Sequence, residues 1–260
     1  MNDNSFLPDG TLLKRGKYKI LSKIDHGGFG VVYKAQNMET GQVVAVKEFF
    51  SHQYHTRDSK TFSVRLRRGC GTAIREEKDK FNREVDKIRE FDHYNIIQAY
   101  ESFKDNNTVY YAMEYIEGCS LRAYCEKRGR KIREEEALDI VRQIADALKT
   151  MHEAQYNHSD VKPKNILIDE VKRRAVLIDF GTAHKYLGDG SNRPLEETMP
   201  PRVETPGYTS RKLAAYSCLL PSRDIYSLGA TLYNIITGRD PFEGINIKPN
   251  DMSQRTEYAI

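Results

Sequence analysis

Apolar and polar positions alternate through the first third of the chain. Y-K-I-L-S-K-I over 18–24, V-V-Y-K-A over 31–35 and Q-V-V-A-V-K-E over 42–48 read as strands, with a turn at Glu39–Gly41. In T-F-S-V-R-L-R-R over 61–68, Phe62, Val64 and Leu66 alternate with polar partners and predict one further strand with a basic outer face. The period then lengthens. At about 100° per residue Phe81, Val85, Ile88 and Phe91 fall on one stripe, which predicts a helix over 78–91. Strands return at 96–100 and 108–116, joined by a turn at Lys104–Asn107. Leu138, Val141, Ile144, Ala145, Leu148 and Met151 mark a long amphipathic helix, and Glu134–Glu136 suit its positive N-terminal end. Short apolar strands at 166–168 and 176–178 bracket a charged turn at Lys172–Arg174. Residues 188–206 are rich in Gly, Pro, Ser and Thr and read as a mobile connection. A last helix over Asp224–Ile236 is apolar on nearly every side.

Strands first and helices second predict an α+β protein with two segregated lobes. The division expected is an N-terminal tail over 1–17, a sheet lobe over 18–115 with a basic insert at about 51–78, and a helical lobe over 116–260.

Composition narrows the class. The chain has 260 residues, 39% of them hydrophobic and 30% charged, enough for a real core and too apolar for wholesale disorder. No apolar run reaches the roughly 18 residues of a membrane helix. The polar N-terminus M-N-D-N-S does not read as a secretory signal, and a cytoplasmic location is expected. Cys70, Cys119, Cys125 and Cys218 lack paired C-x-x-C spacing and fit reduced thiols. The net charge is +4, and the stretch 51–83 carries nine Lys/Arg against four acids. That patch could meet nucleic acid or an acidic partner. The absence of interleaved aromatics weighs against nucleic acid and for a solvated insertion.

Candidate chemistry clusters in a few places. Gly27, Gly28 and Gly30 of H-G-G-F-G lie between two strands, where backbone N–H groups can approach a phosphate. Lys47 ends the apolar run V-A-V-K, and a cation there needs negative charge. Glu84 falls in the middle of the apolar stripe of its helix, whereas Arg83, Lys87 and Glu90 fall off it. A carboxylate so placed asks for a cation, and Lys47 is the candidate. In H-S-D-V-K-P-K-N over 158–165, Asp160 can accept a hydroxyl proton and Lys162 can neutralise charge on a transferred group. Asn165 and Asp179, each beside an apolar strand, offer oxygen ligands to magnesium. Any one acid or amide in such a loop is more often an Asx-turn cap; the spaced set is not so explained.

These motifs resemble those of the eukaryotic-like (Hanks-type) Ser/Thr protein kinases, from about Tyr18 to Phe242. The resemblance implies a bilobal kinase-like fold, an antiparallel sheet N-lobe with a shortened, mainly helical C-lobe, using ATP and Mg2+. It assigns Lys47 to the α- and β-phosphates, Glu84 to the partner of that lysine, and Asp160 with Lys162 to catalysis. Asn165 and Asp179 become the metal ligands. Gly27, Gly28, Gly30, Val32, Ala45, Met113, Glu114, Ile116 and Leu167 line the nucleotide, Met113 as gatekeeper and Glu114 to Ile116 as hinge. Thr205 in E-T-P-G-Y is expected to contact Asp160 and Lys162, and Asp224 to anchor the catalytic loop from below.

Departures from the family pattern accompany the matches. Asp25 replaces the first loop glycine, Ser159 replaces the arginine that pairs with a phosphorylated activation segment, and S-R-K over 210–212 stands where the family has A-P-E. Independence from activation-segment phosphorylation, at a site such as Ser191 or Thr198, is therefore expected. The sequence stops near where the family's later helices begin, which predicts self-association or a partner over helix 224–236. The leading expectation is phosphotransfer from ATP to Ser/Thr hydroxyls of a protein substrate. A pseudokinase-like scaffold and a small-molecule kinase are the alternatives.

Overall fold

The computed structural model describes residues 6–67, 69, 71–186, 205, 207–209 and 221–241. The positions 191, 198 and 210–212, Cys70, Cys218 and the tail from 246 lie outside the described residues.

A six-stranded sheet runs in the order β1 (Leu12–Leu13), β2 (Tyr18–His26), β3 (Gly30–Asn37), β4 (Val43–Phe49), β8 (Thr108–Glu114) and β7 (Ala99–Asp105), every pair antiparallel. Asn106 and Asn107, at φ 46° and 61°, make the two-residue turn between β7 and β8 that such positive angles favour. Because strand residues alternate faces, the register sorts the sheet into two sides. Tyr33, Val44, Val46, Tyr110 and Ala112 turn to one core, together with Leu7 and Leu13 from ahead of Tyr18. Residues 6–17 thus extend the sheet and its packing.

The opposite side faces helix α1 (Gly71–Arg89), through Ile74, Phe81 and Val85. This helix begins seven residues before the predicted start at 78, so part of the expected insert is helical. Lys87, expected off the apolar face, is buried, and its Nζ donates to the carbonyl of Ala183.

The rest of the insert is a hairpin rather than a single strand: β5 (His55–Arg57) pairs with β6 (Val64–Leu66). Val64 packs into the first core, with Phe62 against it. The insert is not wholly solvated. Arg57 and Glu48 form an ion pair at 2.7 Å with side chains 1% and 0% exposed. Glu48 also accepts from the hydroxyls of Tyr33 at 3.0 Å and Tyr110 at 2.6 Å.

The second lobe is built on α2 (Leu121–Lys127), α3 (Glu134–Glu153) and α4 (Pro221–Thr237). Ser120 caps α2 by accepting from the Ala123 N–H. A small sheet joins β9 (Cys119–Ser120), β11 (Ile166–Asp169) and β12 (Arg174–Leu177), while β10 (Tyr156–Asn157) pairs with β13 (His184–Lys185). Arg174, expected in a turn, is a buried strand residue. Helix α4 reverses the expected burial in part. Asp224, Ser227 and Thr231 are buried beside Leu228 and Ile235, while Ile225, Tyr226 and Tyr233 are exposed. Main-chain bonds tie the two lobes: Ile97 N–H donates to the Leu177 carbonyl at 3.1 Å and Leu177 N–H to Asn95 at 2.8 Å.

Candidate active site

Strand register places Val32, Ala45, Lys47, Tyr111 and Met113 on one side of the sheet, since Lys47 lies opposite Val32 and Tyr111, and Ala45 opposite Met113. That is the side facing α1. There the Lys47 ammonium meets both oxygens of Glu84 at 2.8 Å. The Tyr111 hydroxyl donates to Glu84 at 3.0 Å. Burial works against the Lys47 charge, but Glu84, Tyr111 and Asp179 outweigh it and hold its pKa well above the usual lysine value. Burial, then the Glu84 charge, raises the Tyr111 pKa well above its usual value. Tyr111 is a site residue that motif reading missed; its position opposite Lys47 was the available signal.

The glycine-rich turn connects β2 to β3. The Gly27 N–H closes it by donating to the Gly30 carbonyl at 2.8 Å. A Cβ on Gly30 would lie 3.1 Å from Lys47 Cε, so a side chain there would crowd the lysine. Asp25 is exposed and accepts from its neighbour's N–H, that of His26, at 2.7 Å.

Below the sheet, the loop 158–165 is held by backbone. Asp224, fully buried on α4, accepts from the N–H groups of His158 at 2.9 Å and Ser159 at 2.8 Å, and lies 3.0 Å from His152 Nε2. Ser159 sits at φ 67°, and its own hydroxyl oxygen is buried with no partner among the described residues. The Asp160 carboxylate then gathers three donors. Lys162 Nζ lies 2.7 Å away, Asn165 Nδ2 donates at 2.8 Å, and the Thr205 hydroxyl donates at 2.9 Å. Lys162 also reaches the Thr205 oxygen at 3.1 Å.

Asp179 adopts a left-handed backbone, φ 66°, immediately before a buried Phe180 whose ring lies 5.1 Å from that of His158. The Ile178 N–H donates to the Asn165 carbonyl at 3.0 Å, so β11 and β12 bring Asn165 and Asp179 to the same end of their pair. The Asp179 carboxylate is exposed, and neither it nor Asn165 Oδ1 has a hydrogen-bond partner among the described residues. No group of three or more His, Cys, Asp or Glu suited to a metal occurs among the described residues. One carboxylate and one amide oxygen fit magnesium that takes its remaining ligands from phosphate and water.

At the joint between lobes, Glu114 donates nothing from its side chain. Its carboxylate is gripped by the Arg174 guanidinium, one contact at 3.1 Å, while Arg174 Nε donates to the Tyr94 carbonyl at 2.6 Å. Two residues on, Ile116 is buried. Gly118 packs against β11 so closely that a Cβ would lie 1.8 Å from the Ile168 carbonyl oxygen. Leu167, next to Ile168, is partly buried against the lower core.

The order of these parts along the chain is matched as a whole by one protein family, the protein kinase domain, over residues 18–259. The chain belongs to the protein kinase family. Among curated kinases it is 32% identical over 229 residues to the serine/threonine-protein kinase PrkC of Bacillus subtilis (strain 168), covering 88% of this chain and 32% of that protein. It is 29% identical over 233 residues to the serine/threonine-protein kinase ATG1a of Arabidopsis thaliana, covering 89% of this chain and 33% of that one. This chain therefore spans about a third of the length of these two relatives. A solved structure titled PpkA-294 apo form superposes with a TM-score of 0.78 at 26% identity, covering 98% of this chain and 89% of the other. The kinase fold expected from the motifs is the fold observed. No described helix is long and apolar enough to cross a membrane.

Proposed function

We propose that this kinase domain transfers the γ-phosphate of ATP to Ser/Thr hydroxyls of a protein substrate. One observation carries the reading: the Asp160 carboxylate accepts a hydrogen bond from a threonine hydroxyl at 2.9 Å while Lys162 lies 2.7 Å from the same carboxylate. A carboxylate that already holds one hydroxyl is chemically suited to orient an acceptor hydroxyl and take its proton. The neighbouring ammonium would offset charge that develops on the transferred group.

Lys47, held by Glu84, would grip the phosphates, and the amides of Gly27, Gly28 and Gly30 would line them. Val32, Ala45, Met113 and Leu167 would contact the base, with the backbone of Glu114 to Ile116 recognising its edge. Asn165 and Asp179 would hold magnesium, which when bound neutralises phosphate charge. Retention of the whole set favours catalysis over a scaffold. The Asp25 carboxylate, engaged with a backbone N–H, is no obstacle to phosphate.

The test is transfer of radiolabelled phosphate from ATP to a generic protein substrate by wild type and Asp160→Asn. The substitution should lower the rate roughly a hundred- to ten-thousand-fold and leave ATP binding nearly unchanged. Equal rates in the two proteins would refute the assignment. ATP binding without any transfer by wild type would favour the scaffold.

A further inference from the structure

The segment between β4 and β5 does more than connect them. Tyr54 stacks on Phe29, at the tip of the glycine-rich turn, with ring centroids 5.7 Å apart and planes 7° from parallel. The Phe50 N–H donates to the Phe29 carbonyl at 3.3 Å. His52 reaches the base of the same turn: its ring lies 6.2 Å from that of His26, and both rings flank Phe6, at 4.9 Å and 5.4 Å. The glycine-rich turn is thus touched at its tip and at its root by one stretch of the insert.

That stretch is itself anchored. The Arg57–Glu48 pair fixes its far end inside the sheet lobe. The Tyr54 N–H donates to the Ser51 carbonyl at 3.1 Å, and the Ser51 N–H to His55 Nδ1 at 3.1 Å, so the turn bearing Tyr54 is braced from within. The glycine-rich turn has no comparable bracing of its own. No heavy atom lies within 4 Å of a Cβ placed on Gly27 or Gly28. Glycines also carry the largest backbone entropy to be lost when a ligand orders them.

We propose that residues 50–57 are a strap that pre-orders the glycine-rich turn for the nucleotide's phosphates, with Tyr54 as the positioning residue. The proposal rests on the ATP-site reading above. Tyr54 does not touch the nucleotide in this account. It acts through Phe29, reducing the ordering cost of closing the turn over the phosphates.

The effect must therefore depend on phosphate, and binding alone can read it. Dissociation constants for ATP with magnesium and for adenosine are to be measured by calorimetry on the full chain, for wild type, Tyr54→Phe, Tyr54→Ala and His52→Ala. Tyr54→Ala should weaken ATP by about 2- to 10-fold, the span of one aromatic pair, and leave adenosine unchanged. Tyr54→Phe keeps the ring and should match wild type. His52→Ala should show the same phosphate-selective loss at smaller size. Equal weakening of ATP and adenosine by Tyr54→Ala, or no weakening of either, overturns the strap. Wild type that binds neither ligand sinks the ATP-site reading itself, and is recognisable as such. Should Tyr54→Ala fail to fold, the ATP-to-adenosine ratio in His52→Ala decides: a ratio equal to wild type overturns the proposal.

Discussion

Replacing Arg57 by methionine should destabilise this domain far more than a residue of a charged surface insert would. In the native chain the guanidinium meets Glu48 at 2.7 Å, and neither side chain sees solvent beyond 1%. Arg57 also donates to the Phe62 carbonyl at 3.1 Å and lies over the Phe50 ring at 4.7 Å. Removing one member of such a pair strands a buried charge, which costs about 3–5 kcal/mol. The tyrosine hydroxyls of Tyr33 and Tyr110 still donate to Glu48, so the lower end, about 3 kcal/mol, is expected. For a domain of this size that lowers Tm by roughly 6–12 °C, at about 2–4 °C per kcal/mol. Pairing Arg57→Met with Glu48→Gln removes the charge as well as its partner. Glutamine still accepts from both tyrosines, so the double variant should recover part of the loss, a coupling of about 1–3 kcal/mol. Urea unfolding of wild type, both single variants and the double gives the cycle. Additive effects, or an Arg57→Met cost below about 1 kcal/mol, would refute the buried-pair argument.

Three further predictions use other features. Gly118→Ala must push β9 away from β11, because its Cβ would sit 1.8 Å from the Ile168 oxygen; a stability loss of about 1–3 kcal/mol and weaker ATP binding are expected by thermal shift, and wild-type behaviour would count against the contact. His184 is buried, and burial, then the Lys87 and Arg83 charges, lower its pKa to about 4. Below the unfolded value of about 6.5 the unfolded chain binds the extra proton more readily, so stability should fall as pH drops from about 6.5 to about 4. His184→Gln should flatten that limb of a urea-midpoint profile, and an unchanged slope would sink the argument. Thr205→Val removes the hydroxyl between Asp160 and Lys162 and should slow phosphotransfer several-fold, whereas Thr205→Ser should not; equal rates for the two would exclude a role for that hydroxyl.

Much of this was legible in the sequence because it is local. The motifs at 26–30, 44–47, 158–165 and 179–181 carry their neighbours with them, and the stripe of Phe81, Val85 and Ile88 pointed Glu84 inward. What the chain hid was pairing at a distance. Arg57 looked like one charge in a basic run; only the hairpin β5–β6 carries it to Glu48. Arg174 looked like a turn residue, yet strand pairing brings it to Glu114. Lys87 fell off the apolar stripe, but the second lobe supplies the Ala183 carbonyl that buries it. The start of α1 was missed because the residues before 78 are charged and small, with little apolar period to read. Helix α4 misled in the other direction, since Asp224 and Ser227 spend their burial on backbone groups of neighbouring segments.

Position 159 illustrates a freedom that follows from this design. The shape of the loop there is imposed by main-chain amides on a single acid from α4, and the side chain at 159 contributes no bond to it. Geometry and identity are uncoupled at that point. Substitutions can accumulate at 159, altering what the loop senses, while the proton acceptor one residue later stays where it is.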